Sequence, residues 1–586
     1  VAGEDHTGDL TVAQLGSFTL VLHAHLPYVL THGRWPHGVD WLNEAAAETY
    51  LPLLDLFNDL VEEGISPRVT LGLTPILVEQ LADPLFEQEF ESYLEQKVAA
   101  AEEDEREFSR VGEPDYAALA AMWRDHYRRI HERFHGRYGR GIVESFRLLQ
   151  DGGHLEIITS AATHGYLPLL AEESAVYGQV RTGVESYRRR FGRQPRGMWL
   201  PECAYRPGYR WSSPIGEPME PIERRGLEQF LRAGGIDYFI IDSHLLRGGQ
   251  AIGVYLDRFE ALQRLWEQYE KAYPPRPEVR DNSPYEIYLV GTTPDTEPVA
   301  ILTRDSTTAL QVWSSEHGYP GDEWYLDFHK KRFPGGHRYW RVSLSGPDLA
   351  LKGRYEPERV EERLRSHASD FVRRLKETLS HHLRERGRPG FVCAPFDAEL
   401  FGHWWYEGPR WLGHVVRLIE EDPEVELRTG SEQVDTAEPT IVVSLPEGSW
   451  GEGGFHWIWL NEWTQWTWFH VYEAERRMRA LAGEYDSKGN RTLRRLLTQL
   501  ARELLLLESS DWQFLISTWS ARDYAELRVD THYRNFRRLA DLAEKCGDGG
   551  ELTPEERAFM ANCEERDGVF AHLDPEWWKT DVPVEF

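Results

Sequence analysis

The sequence predicts an α/β fold of the barrel type, with parallel strands inside and helices outside. Three observations predict it. Seven short apolar runs bounded by turn signals recur through the first two-thirds of the chain. Helical patterns of 3.6-residue period separate most of them, and buried strands alternating with helices make βα units around a parallel sheet. Neither a GxGxxG turn nor a P-loop is present, so an open nucleotide-binding sheet has no support. A chain of 586 residues suits several domains or one large barrel with additions, and its 41% hydrophobic fraction excludes wholesale disorder.

The first strand is Phe18–Leu26 (FTLVLHAHL), followed by a helical pattern over Trp41–Glu63. Val69–Leu77 is the second. Residues 84–152 then interrupt the alternation; they are charged and helical, with EQKVAAAEEDEREFSR at their centre, and predict a helical insertion subdomain. Leu155–Ala161, Gly197–Glu202 and Tyr238–Asp242 are the third to fifth strands, with a helix over Val180–Arg190. Residues 247–297 are rich in Pro, Gly and Tyr, and a loop of that length is usually a lid or binding loop. Val299–Asp305 and Phe391–Phe396 complete the seven. Beyond Asp422 strands fade, apart from Thr440–Ser444, and helical patterns such as Arg491–Glu508 and Ala521–Glu544 take over. The expected division is a catalytic barrel over 1–83 and 153–421, the insertion over 84–152 and a C-terminal helical domain over 422–586.

Asp and Glu number 97 against 66 Lys and Arg, a net charge of −31. Phosphate affinity needs clustered cations, so nucleic-acid and anionic-membrane partners are excluded. No run of about 18 apolar residues crosses a membrane. The opening VAGEDHTGDLTVAQ lacks the basic start and apolar core of a signal peptide, and four scattered cysteines form no disulfide or zinc pattern. A cytoplasmic protein with reduced thiols is expected.

Chemistry in such barrels collects where strands end. The strand ends here carry His23-Ala24-His25, Glu156 and then His164, Trp199-Leu200-Pro201-Glu202, Asp242-Ser243-His244, and Asp397-Ala398-Glu399 before Trp404-Trp405. A carboxylate ending an apolar strand is costly unless paired or used. Glu202 and Asp397 each fit a buried salt bridge, but two carboxylates flanked by indoles fit glycoside chemistry better: a nucleophile, a proton donor and flat apolar surfaces for sugars. His23 and His25 share one face of a strand, a spacing also suited to a metal with Asp242 or Asp397, as in a metal-dependent polysaccharide deacetylase-like barrel. The chain has 22 tryptophans. Those beside Gly in loops (Trp35, Trp313, Trp450) are expected at the surface; Trp463, Trp466 and Trp468, at helical spacing, are expected to pack.

Five ordered strings resemble the glucan branching enzymes of glycoside hydrolase family 57: HAHLPY (His23–Tyr28), GHLEIITSAATHGYLPLL (Gly153–Leu170), GMWLPECAY (Gly197–Tyr205), FDAELFGHWW (Phe396–Trp405) and SSDWQF (Ser509–Phe514). GRWPHGVDWLNEAAAETYLPLL, VWSSEHGYPGD and GSWGEGG are similar to the same group. The resemblance runs from about Gly16 to Asp530. It implies an incomplete seven-stranded (β/α)7 TIM-like barrel and retaining catalysis without metal or other cofactor on an α-glucan such as amylose, glycogen or amylopectin. It assigns Glu202 as nucleophile and Asp397 as general acid/base. Arg304, Gly321, Trp450 and Asp511 match substrate-binding positions, His23 and His25 contact the sugar beside the nucleophile, and Trp35, Trp41, Trp313 and Trp459 match aromatic positions tied to glucan handling. A tyrosine of the 247–297 loop assists transfer in relatives, with Tyr255, Tyr285 and Tyr288 as candidates. A 4-α-glucanotransferase or α-amylase of the same family would use the same residues with another acceptor.

Overall fold

The first apolar run becomes β1 (Gly16–Ala24), buried along its whole length. Burial on both faces is why it reads as continuous hydrophobicity rather than alternation. A computed structural model describes residues 14–216, 220–249, 259–272, 276–278, 281–293, 296–314, 318–343 and 348–579. The other runs form β2 (Val69–Leu73), β3 (Leu155–Ser160), β4 (Gly197–Trp199), β5 (Tyr238–Ile241), β6 (Val299–Thr303) and β7 (Gly390–Asp397).

All seven are parallel in the order β7-β1-β2-β3-β4-β5-β6. Between β6 and β7 the ladder shrinks to a single bridge, Arg304 with Cys393, so the barrel is incomplete there. Strand Tyr288–Val290 runs antiparallel beside β6 and Val442–Val443 extends it. Several strands are shorter than their apolar runs because helical turns begin at once: Pro75–Leu81 after β2 and Pro201–Cys203 after β4.

Residues 84–152 form helices Pro84–Val111, Pro114–Gly136 and Ile142–Asp151. Asp83 caps the first, accepting from the Leu85 N–H, and Gly112 ends it at φ 80, a left-handed stop that glycine adopts without Cβ strain. Past 421, Val425–Leu427 pairs with β1 and helix Gly430–Ala437 seats on the barrel base, where the Thr70 hydroxyl accepts from the Gly430 N–H. The sheet therefore recruits residues beyond the expected boundary. Helices Gln465–Glu484, Arg491–Leu507, Asp511–Thr518 and Arg522–Gly547 follow. They dock on the loop after β3: Ser510 N–H donates to the His164 carbonyl, and Gly165 bridges to Ser509. No helix is long and apolar enough to cross a membrane among the described residues, and all four cysteines are free and buried.

Candidate active site

β4 is three residues long, and the chain turns sharply behind it. Glu202 adopts φ 60, ψ 24 and Cys203 φ 46, left-handed conformations that cost a non-glycine residue energy. The Glu202 carboxylate receives two donors from the C-terminal part of the chain: Trp450 Nε1–H at 2.9 Å on Oε2 and the Ser510 hydroxyl at 3.2 Å on Oε1. Burial pushes Glu202 up to about 8; Trp450 and Ser510 pull it back, while negative Asp397 and Asp511 add to the rise. Asp397 ends β7 in register with His23 of β1, at the same rim of the barrel.

Three imidazoles, His23, His164 and His25, stack beside Glu202, which lies 3.9 Å from His164 Nδ1. His23 lies on Trp199, ring centroids 4.4 Å apart and planes 11° from parallel, and its Nε2 is 3.1 Å from His164 Nε2. Burial, reinforced by neighbouring imidazoles, holds His23 and His164 well below the ordinary histidine value, so both are neutral at pH 7. His164 Nδ1 pairs with the Ser510 hydroxyl at 2.9 Å. His25 Nε2 lies 3.0 and 3.1 Å from the two Asp511 oxygens and its Nδ1 meets Thr74 Oγ1. Against the upward push of burial, His25 holds Asp511 below its usual value. Glu399 closes the set: its Oε1 accepts from the Tyr50 hydroxyl (2.6 Å) and the His25 N–H (3.0 Å), and burial pushes it up to about 8. Ligand atoms of His25, His164 and Asp511 all lie within 4.8 Å of one another, the spacing a metal would need. In this arrangement they are hydrogen-bonded instead, to one another and to Thr74 and Ser510.

Residues 19–446 match the family described as Glycosyl hydrolase family 57. The chain belongs to glycosyl hydrolase family 57. Residues 470–578 match the 1,4-alpha-glucan branching enzyme C-terminal family. A 1,4-alpha-glucan branching enzyme of Thermococcus kodakarensis is 41% identical over 556 residues, 95% of this chain and 77% of that one. A probable 1,4-alpha-glucan branching enzyme of Mycobacterium tuberculosis is 32% identical, over 95% of this chain and 97% of its own. Among solved structures, the family 57 branching enzyme of Pyrococcus horikoshii superposes with a TM-score of 0.85 at 38% identity, covering 98% of this chain and 99% of its own. The α-amylase AmyC of Thermotoga maritima superposes at 0.79 with 28% identity, covering 97% and 100%.

Within this family 57 barrel, Glu202, Asp397, His23, His25, Asp511 and Trp450 converge at one rim. Arg304 follows β6, is fully buried, donates from Nη1 to Asp242 Oδ2 at 3.0 Å, and lies 5.6 Å from the Trp450 ring. Burial would raise Asp242, but His244 and Arg304 overcome it and hold it at about 2, so Asp242 is a structural anion here. Several expectations need correction. Trp450 and Trp313 are 5% and 1% exposed, not surface platforms: the Gly-rich loop carrying Trp450 folds inward against Trp199, and Trp313 ends helix Ser306–Trp313 and faces Trp404. Trp459 is equally buried, stacked on Tyr166 at 4.5 Å. Trp35 is the open one, 70% exposed and edge-on to Phe333, while Trp41 is half-buried beside His37. Gly321 closes a 3-10 turn whose Tyr319 bonds Asp370 of helix Val360–Arg386. Glu156 lies at the opposite end of β3, holding Ser431.

The Tyr285 hydroxyl is bonded to Asp305, and Tyr288 sits in a buried strand with its hydroxyl accepting from the Ser283 N–H, so both are built into the wall. Tyr255 lies outside the described residues. Sequence reasoning had named His164 only as a neighbour and gave Ser510 no role. The signal for His164 is its place four residues after β3 in a Thr-His-Gly turn; that for Ser510 is its place beside Asp511 in the SSDWQF string.

Proposed function

We propose that this chain is a 1,4-α-glucan branching enzyme acting by retaining double displacement. The observation that carries the reading is the pairing of Glu202 with the Trp450 and Ser510 donors across from Asp397. Glu202 attacks the anomeric carbon, the C1–O4 bond breaks, and Asp397 gives its proton to the departing oxygen, leaving a glycosyl-enzyme. Asp397 then takes the proton of a glucan 6-hydroxyl, which attacks C1 and forms an α-1,6 branch while Glu202 departs. Neutral His23 and His164 leave the changes of charge to the two carboxylates. His23, His25, Asp511, Arg304, Trp450 and the aromatic positions Trp35, Trp41, Trp313 and Trp459 are the proposed substrate-binding set, with Gly321 the least supported by its surroundings. A barrel over 1–83 and 153–421, an insertion over 84–152 and a helical domain over 422–586 are the proposed division, save that 425–437 pack with the barrel. A neutral amylose, glycogen or amylopectin chain suits the −31 charge, and a cytoplasmic role in glycogen synthesis suits the free cysteines.

The likeness to AmyC keeps an α-amylase reading, with water as acceptor, as the alternative. Incubating amylose with the protein and recording anomeric protons separates them. Branching gives α-1,6 signals; new reducing ends without them reject it. Glu202→Gln should lose all turnover, and near wild-type activity in that variant would sink the nucleophile assignment. Activity abolished by chelators would instead favour metal chemistry at His25, His164 and Asp511.

A further inference from the structure

We propose that Trp463 and Trp519 form a second α-glucan-binding platform outside the catalytic pocket, one that holds another length of the same polymer. This rests on the α-glucan reading above. Trp519 terminates helix Asp511–Thr518, whose first residue bonds His25 in the active site. Eight residues at 1.5 Å rise put it about 12 Å from Asp511 along the axis. Its indole is 48% exposed, and its ring centroid lies 5.3 Å from that of half-buried Trp463, the planes tilted by 41°. Trp468, five residues further along the same segment, is sealed in the core by contrast.

Trp519 sits at φ 58, a left-handed helix end normally given to glycine. A bulky residue there stores strain, and half its surface remains in water, so packing does not offset that cost. Two indole faces at an angle suit an α-1,4 chain, which curves and presents apolar C–H faces edged by hydroxyls. Polar side chains rim the pair: Glu462, Gln465 and Ser520 are exposed, and Arg522, 5.8 Å from the Trp519 ring, is held by Glu526. Helix Arg522–Gly547, whose Arg522 lies by the Trp519 ring, leads from the pair towards the loop that carries Trp35. Tyr524, on that helix, meets His37, the neighbour of Trp41 in the same loop. A neutral polymer already engaged in the catalytic pocket is therefore the occupant, and a polyanion is excluded by the charge of −31.

The test uses the full chain carrying Glu202→Gln, so that glucan is bound and not consumed. Retention on glycogen is measured by affinity electrophoresis, and maltoheptaose binding by calorimetry. Trp519→Gly is the informative variant, because glycine relieves the left-handed strain and should raise the unfolding temperature. Glycogen binding should nevertheless weaken about five- to tenfold, with maltoheptaose affinity unchanged within about twofold. Trp463→Ala should behave alike, and Trp463→Tyr should restore retention. Undiminished glycogen binding in the Trp463→Ala/Trp519→Gly double variant overturns the platform. Absence of any α-glucan binding by the Glu202→Gln parent overturns the substrate reading itself, a separate result.

Discussion

Glu202 is held between opposed demands. Burial favours its protonated form, yet the nucleophilic role proposed for it needs the ionised one, so the donors on its oxygens decide how much of it is competent at neutral pH. Trp450→Phe removes the 2.9 Å indole donor while keeping an aromatic ring. A hydrogen bond to a charged group is worth about 1.5–3 kcal/mol, so kcat should fall roughly 10- to 100-fold. The sign for pH follows: losing a donor raises Glu202 further, and the acidic limb of the kcat/KM profile, which reports the free enzyme, moves to higher pH. A profile with an unmoved acidic limb would show that Trp450 only packs. Glu202, Asp397 and His23 were legible in the sequence because each ends or follows an apolar run, where a polar residue is conspicuous. The Trp450 contact was not: it joins residues 248 positions apart, and a Trp beside Gly reads as an open loop until the distant partner is known.

At the scale of elements, the loop after β7, which begins at Asp397, is shaped by an irregular turn elsewhere. Trp41–Glu63 reads as one amphipathic helix, but the chain there runs as helix Val39–Ala45, a π-turn Ala46–Tyr50 and helix Leu51–Glu62. The wider turn, common at functional sites, presents Glu48, Thr49 and Tyr50 together to the loop after β7. Glu48 is bonded to Arg338 and His403, Thr49 accepts from the His403 N–H, and Tyr50 donates to Glu399. Periodicity averaged over 20 residues does not register such a local widening, which is why the turn escaped the sequence reading. The fit leaves no room at Gly402, φ 113, where an added Cβ would lie 1.8 Å from the Glu48 carbonyl oxygen. Gly402→Ala should therefore cost about 2–4 kcal/mol by denaturant titration, from strain and overpacking, and shift Asp397 enough to lower kcat in the folded fraction. A variant of wild-type stability would mean that the loop and the turn yield to each other.

Over the whole molecule, the tryptophan excess resolves mainly into packing: ten indoles have under 2% exposure, spread through the insertion (Trp123), the barrel (Trp313, Trp405 and Trp411) and the helices beyond it (Trp468 and Trp512). The net charge of −31 is similarly uneven, because composition counts every carboxylate as ionised while the fold does not. Between the third βα unit and the C-terminal helices, Glu475 accepts from the Ala171 and Glu172 N–H groups, and Glu508 from Gln179. Both are buried, and burial pushes Glu475 up to about 8 and Glu508 well above the carboxylate range. The folded protein keeps these protons where an unfolded chain, with glutamate near 4.3, has lost them. Stability from each group is thus fully present below about pH 4.3 and declines as pH rises towards the folded value, by up to about 1.4 kcal/mol per pH unit. For Glu475 the decline ends above about pH 8. Glu475→Gln keeps an oxygen for the two N–H groups and removes the titration. Its unfolding temperature should exceed that of the parent by a margin that widens from pH 5 to pH 8 and then holds constant. Parallel curves across that interval would mean that Glu475 is already ionised in the fold, and that the junction is held by packing and backbone hydrogen bonds alone.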